Sequence, residues 1–287
     1  MKNLLFFAVT ACVLKVASAQ DGEFHLDNEY KIKPDASTHL ASSDANVFIT
    51  GSRRPSAHVK IDRKVITKGL YSGKEDFKVE VEIVNGDLQI RERASSYNSG
   101  IVTYQREEYK IEIQAPEGVS LMIRGDDGDY FIKNVNGAIS MSIDDADVEL
   151  TDCKGGEFTF RVDDGDVRMD GGKGRLDIDG DDADIEIYNG AFSSITADMD
   201  DGDLVLETSL TDNGSYTIRT EDGSINLKVL SGGGEFEIDH DDGHVTLQGD
   251  FKTLTESDDH TRVSLARGKA KVKVRGDDAN VKLIAAN

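Results

Sequence analysis

Along most of the chain, apolar residues occupy every second position. Phe158, Phe160 and Val162 alternate with polar residues, and after a short acidic break Val167 and Met169 continue the pattern. Leu176 and Ile178 are answered in the same way by Ile185 and Ile187, and Phe236 and Ile238 by Val245 and Leu247. A period of two marks a strand with one buried face, so each unit reads as two short strands around a turn. The alternation excludes helical repeats, whose apolar positions recur at three and four.

The breaks are near copies of one another: GDDGDY, IDDADV, VDDGDV, GDDADI, MDDGDL, HDDGHV and GDDANV. The two-acid turn begins at Asp126, Asp144, Asp163, Asp181, Asp200, Glu221, Asp241, Asp258 and Asp277, a mean step of (277 − 126)/8, about 18.9 residues. A fixed period near ~20 with no long helix predicts an all-β, parallel β-solenoid with coils of about 19 residues, stacked roughly 4.8 Å apart. Gly155-Gly156, Gly171-Gly172 and Gly232 to Gly234 mark a second corner leading into the next coil. The L-x-x-L-x-L-x-x-N frame of a leucine-rich repeat is absent.

The third turn position alternates Gly128, Ala146, Gly165, Ala183, Gly202. Alanine avoids the left-handed region, so the alanine turns cannot require it, and the unit reads as a pair of coils. Weaker copies stand at SSDANVFITG (Ser42 to Gly51) and VNGDLQI (Val84 to Ile90), with less regular sequence from Arg53 to Tyr109. The expected organisation is a leader at 1–19, an irregular N-terminal part of the solenoid at 20–76, and the repetitive domain at 77–287. The final coil, ARGKAKVKVRGDDANVKLIAAN, carries Lys269, Lys271, Lys273 and Arg275 on outward positions of what the sequence order makes the terminal edge. Lysine there discourages further strand addition.

With 287 residues and 38% apolar content the chain can bury a substantial core. Its formal charge of −22 repels nucleic-acid phosphates and anionic lipid and attracts cations or basic partners. Lys2, the apolar run Leu4 to Leu14 and the small-residue site Ala17-Ser18-Ala19 before Gln20 have the layout of a secretory signal peptide. A rival parsing takes Val9-Thr10-Ala11-Cys12 as a lipobox and leaves an acylated Cys12. Either way the product is exported, to the periplasm, the outer-membrane surface or the exterior, and no later segment approaches the roughly 20 apolar residues of a membrane-spanning helix. Cys153 stands alone in the mature chain, so no intramolecular disulfide forms, and the thiol reads as turn-flanking or buried.

The repeated acids have a first explanation in turn chemistry, because Asp hydrogen-bonds its own backbone and Gly accepts positive φ. The sharper alternative is cation binding by the stacked pairs Asp126, Asp127, Asp144, Asp145, Asp163, Asp164, Asp181, Asp182, Asp200 and Asp201. Calcium is the ion that such hard oxygen ligands favour. Neither the G-G-x-G-x-D-x-U-x nonapeptide of the calcium-binding β-roll nor an EF-hand loop is present. A second candidate metal set is His240, Asp241, Asp242 and His244, expected one coil from Asp258, Asp259 and His260, where imidazole and carboxylate could hold zinc. No acid–base pair, G-x-S-x-G, H-E-x-x-H or P-loop points to catalysis, and no organic cofactor is implied.

From about Phe77 to Asn287, the G-D-[hydrophobic]-x-[hydrophobic] motif (VNGDLQI, DDGDVRM, DDGDLVL, EDGSINL) and the lead-in EIQAPEGVSLMIRGDDGDYFI resemble the bacterial DUF4097 group, labelled adhesins and also called toastrack domains. The resemblance implies a β-solenoid of the cell envelope or exterior without known catalytic residues. Its relatives occur beside envelope-stress membrane proteins, and some engage cationic antimicrobial peptides. Where the family often writes Ser-Ser-Gly-Asp at the turn, this chain writes Asp-Asp. The expected function is an exported, noncatalytic adhesin-like or interaction scaffold whose acidic ladder meets divalent ions, basic peptides or an envelope protein. The rivals are an envelope-stress sensing module and a polysaccharide-acting β-helix enzyme.

Overall fold

The computed structural model describes residues 23–286, and of 67–76 and 94–105 the backbone alone. The expected leader at 1–19, with Cys12, lies outside the described residues. In chain order the strands are β1 (Glu23–Tyr30), β2 (Ser37–Ser42), β3 (Asn46–Ser52), β4 (Ala57–Val84), β5 (Asp87–Pro116), β6 (Ser120–Asp127) and β7 (Tyr130–Lys133). They continue with β8 (Ile139–Asp145), β9 (Val148–Cys153), β10 (Glu157–Gly171), β11 (Lys173–Asp201), β12 (Asp203–Ser209), β13 (Ser215–Thr220) and β14 (Ser224–Ser231). The last are β15 (Gly234–His240), β16 (Val245–Gln248), β17 (Lys252–Glu256), β18 (His260–Leu265), β19 (Ala270–Gly276) and β20 (Asn280–Ala285). All twenty strands join one continuous sheet, and the described residues contain no helix.

The sheet is wound as a parallel β-solenoid. Within β10, Phe158 lies between Ile139 of β8 and Leu176 of β11, and past the acidic turn Val167 lies between Val148 of β9 and Ile185 of β11. Each stacked pair points the same way, so the alternating apolar positions form rows inside the coil. Phe158, Phe160, Val162, Val167 and Met169 are all buried, and Phe158 meets Phe192 edge-on at 6.2 Å between ring centroids. The lone thiol of Cys153 belongs to this core, and burial pushes its pKa up.

Both corners are built from residues that tolerate tight backbone. At the acidic corner Gly128, Gly165 and Gly202 have φ of 98°, 105° and 104°, whereas Ala146 and Ala183 keep ordinary φ and are buried. A β-carbon on Gly165 would stand 2.6 Å from the Ala146 carbonyl oxygen, so a left-handed glycine turn lies tightly over each alanine turn. The opposite corner stacks Asn134, Asp152, Gly171 and Asn189, with φ of 57°, 56°, 100° and 55°. Asn, Asp and Gly are the residues that enter the left-handed region at least cost.

Four expectations are corrected by the pairing. VNGDLQI is not a coil corner: Asn85 and Gly86 both have positive φ (56° and 96°) and close an antiparallel hairpin between β4 and β5. Two left-handed residues in a two-residue loop are what a type I′ hairpin requires. The hairpin spans the expected division at 76/77, because that point falls inside β4. SSDANVFITG does form a coil, with β2 and β3 stacked between β5 and the pair β6 and β7.

The acids at Asp258 likewise sit in a hairpin, between antiparallel β17 and β18, where the Ser257 backbone N–H donates to the His260 carbonyl at 2.9 Å. That reversal sends the chain back, and β19 pairs on one side with β13 and on the other with β15. β20 is held in the same way between β14 and β16. The coil bearing Lys269, Lys271, Lys273 and Arg275 is therefore interior, and the outermost strands at that end are β16 and β17. The lysines stand opposite acids instead of guarding an edge: Lys271, Lys273 and Arg275 pair in register with Glu235, Glu237 and Asp239. At the other end β1 runs antiparallel to β4, with the ion pair Glu23–Lys64 at 2.9 Å and His58 Nε2 2.7 Å from Asp27 Oδ1.

Candidate functional site

The acidic corner runs along the stack as rows of carboxylates on solvent-facing turns. In the first row Asp144 lies within hydrogen-bonding reach of both Asp126 and Asp163, and this neighbour raises the pKa of each. In the second row Asp127, Asp145, Asp164 and Asp182 stand in register. Asp145 holds the Asp164 carboxyl above its usual range, and partial desolvation does the same for Asp201, with Asp222 and Asp182 adding to it. Like charges one strand spacing apart disfavour the ionised form of each.

The fourth turn position, absent from the predicted ligands, forms a third row: Asn46, Asp129, Asp147, Asp166, Asp184 and Asp203. Here the acids are structural. The Asn46 side-chain carbonyl accepts the Asp129 backbone N–H at 3.2 Å, Asp147 accepts from Asp166 at 3.0 Å, and Asp184 accepts from Asp203 at 2.8 Å. In every case the acceptor belongs to an alanine turn and the donor to the glycine turn above it. The pair of coils inferred from the Gly/Ala alternation is thus a hydrogen-bonded unit, and at this row the side chains bond the backbone of the neighbouring coil and not that of their own turn.

Beside that row lies a cleft of about 340 Å³, lined by Asp129, Asp147, Asp166 and Asp184, by Glu149 and Glu186, and by Phe131 and Arg168. Burial raises the Asp166 carboxyl, and Asp147 and Asp184 add to the effect. Phe131 is exposed and stacks on Phe48 at 4.9 Å, and the Lys110 ammonium sits 4.6 Å from the centre of the Phe48 ring. Phe48 also borders a second cleft of about 920 Å³, whose walls include Asn46, Asp62, Arg63 and Tyr109. These outward aromatics were legible as residues of the wrong parity for the core, since Phe48 falls between the buried Val47 and Ile49.

The histidine candidates are not gathered by a coil. His260 lies across the antiparallel β15–β18 pair, its Nδ1 2.6 Å from Asp239 Oδ1, while His240 Nε2 is 3.4 Å from the Thr261 hydroxyl. His244, Asp241, Asp242, Asp258 and Asp259 are exposed on separate turns. They fail to converge because Asp258 and Asp259 cap a hairpin and because β19 and β20 intervene between β15–β16 and the preceding coil. Among the described residues, no group of three or more His, Cys, Asp or Glu has an arrangement able to hold a metal ion. Nor, among them, is any helix long and apolar enough to cross a membrane.

No curated protein matches the chain. Solved structures with similar course include a putative adhesin from Parabacteroides merdae, 10% identical, covering 90% of this chain and 95% of its own, with a TM-score of 0.49. A putative adhesin from Bacteroides fragilis is 13% identical, covering 90% and 96%, with a TM-score of 0.43. A putative lipid binding protein from Parabacteroides distasonis is 11% identical, covering 92% and 97%, with a TM-score of 0.42. A family model, Toastrack DUF4097, matches residues 36–284, which takes in every coil from β2 to β20 and the β4–β5 hairpin between them. The chain belongs to the Toastrack DUF4097 family.

Proposed function

We propose that this protein is an exported, noncatalytic, adhesin-like interaction scaffold of the bacterial cell envelope, and that its acidic corner is the binding surface for cationic partners. The observation that carries the reading is the in-register stacking of Asp127, Asp145, Asp164 and Asp182 on exposed turns, where acidic neighbours raise the carboxyls of Asp126, Asp163 and Asp164. Rows of acids that hinder one another's ionisation are relieved when a positive partner lies along them. Basic peptides meet that description, and so do divalent ions gathered diffusely along the rows and not in a formed site.

Thermal unfolding in EDTA, then in millimolar calcium with magnesium as control, tests the ionic version. A site filled at 100 times its dissociation constant adds about 2.7 kcal/mol of stability. A calcium-specific rise assigns the corner to an ion. Without one, titration with a lysine-rich peptide at low ionic strength is decisive: binding that weakens steeply as salt shortens the screening length supports the scaffold reading. Absence of binding to both would end it.

A further inference from the structure

The coil of β19 and β20 comes last among the described strands yet lies between two earlier coils. β13 and β14 flank it on one side, and β15 and β16 on the other. The strands β15 and β16 therefore stand a full coil away from β13 and β14. Gly232-Gly233-Gly234, the one run of three glycines in the sequence, carries the chain across that gap. The return linker, residues 266–269, passes the same point. A β-carbon on Gly268 would lie 2.5 Å from the Gly233 carbonyl oxygen, and one on Gly233 would lie 2.5 Å from that of Leu265. Two connections thus cross in contact at one end of the sheet, which chains ordinarily avoid, and paired glycines give them room.

Before β19 and β20 enter, the gap is a slot bounded by unpaired strand edges on both sides, and such edges pair with any strand of matching register. Side chains select the occupant. Glu235, Glu237 and Asp239 stand opposite Lys271, Lys273 and Arg275, with Lys273 Nζ 3.6 Å from Glu237. At the corner Gly243 accommodates the Ala279 turn so closely that a β-carbon there would be 1.8 Å from the Ala279 carbonyl oxygen. Every copy of the chain carries a coil that meets these demands.

We infer that the slot accepts β19–β20 from a second copy as well as its own, giving a strand-exchanged dimer in which the 266–269 linker opens and each chain completes the other. The contacts made in the slot are the same in monomer and dimer. The balance is set by the effective concentration of the tethered coil against the concentration of the second copy. Exchange takes place while the coil is out, during folding or after partial opening.

Ser215 and Lys271 are exposed and face each other across β13 and β19, so they report which chain fills the slot. Ser215→Cys and Lys271→Cys proteins are mixed, unfolded, refolded together at high concentration and oxidised with oxidised glutathione. Light scattering follows the unmodified protein and Gly268→Val, whose side chain breaks the crossing contact. The expected result is a dimer fraction that rises with concentration, several-fold higher for Gly268→Val, and a disulfide-linked dimer from the mixture but from neither variant alone. A protein that stays monomeric at every concentration overturns the inference. So does a dimer that gives no cross-link in the mixture.

Discussion

At the scale of single residues the turn positions have separable jobs. The third position sets backbone shape: at Gly202, φ is 104° and an added β-carbon would lie 2.3 Å from the Ala183 carbonyl oxygen. Gly202→Ala is expected to cost roughly 1–3 kcal/mol in denaturant unfolding, the range for a non-glycine residue forced into such a conformation. The fourth position supplies acceptors, so Asp147→Ala, which leaves the Asp166 N–H without its partner, should cost about 1 kcal/mol. At the second position Asp164 is electrostatically unfavourable, chiefly because of Asp145. Because the Asp164 carboxyl is raised above 3.8, the folded state holds that proton more tightly than the unfolded chain. Its destabilising effect is complete above the raised value, is lost as pH falls through it, and vanishes only below the unfolded value of 3.8. Asp164→Asn should therefore raise the melting temperature at pH 7 and leave it unchanged at about pH 2. A variant that melts lower at pH 7 would show that the charge is already compensated.

Among the elements, β10 shows most directly how the chain builds the core: five inward side chains, two of them Phe158 and Phe160, are stacked between coils on both sides. Phe158→Ala is expected to cost about 3–5 kcal/mol, the usual price of removing a buried aromatic ring, read from chemical denaturation. β19 is held differently. Reversing Lys271 and Lys273 to Glu places like charges opposite Glu235 and Glu237, and opposed like charges destabilise a strand pair. The double reversal should lower the melting temperature by more at low salt than at high salt. Element identity was legible wherever local signals decide it, as in the alternation of Phe158, Phe160 and Val162. The Asn85-Gly86 hairpin was also legible, but its NGD spelling imitates the DGD corners and was read as one of them. What could not be read was the partner of β19, since register between strands some 30 to 60 residues apart leaves only indirect marks. Those marks were the glycine triplet at 232–234 and a lysine row complementary to the acids of β15.

Over the whole molecule, charge is sorted by surface. The corner gathers acids in rows, while the flat faces mix signs, as in Arg161–Asp179 at 3.5 Å and Lys228–Glu207 at 3.0 Å. A net charge of −22 is thus concentrated where backbone turns already demand Asp, and the candidate surface and the fold share residues. That overlap explains how much of the site the sequence disclosed: the first two rows follow from the repeat, whereas the cleft beside Phe131 depends on side-chain direction. The hydrogen bonds between alanine and glycine turns have a further consequence for how such a chain can lengthen. The alanine turns of Ala45, Ala146 and Ala183 each offer an acceptor that the next glycine turn uses, and the late coil sets Ala279 between Gly223 and Gly243. The one junction of two glycine turns, Gly202 with Gly223, is bridged instead by the Ser224 hydroxyl donating to Asp203 at 2.8 Å. Growth is therefore quantised: duplicating two adjacent coils preserves the phase of the stack, while duplicating one puts it out of step at a new seam.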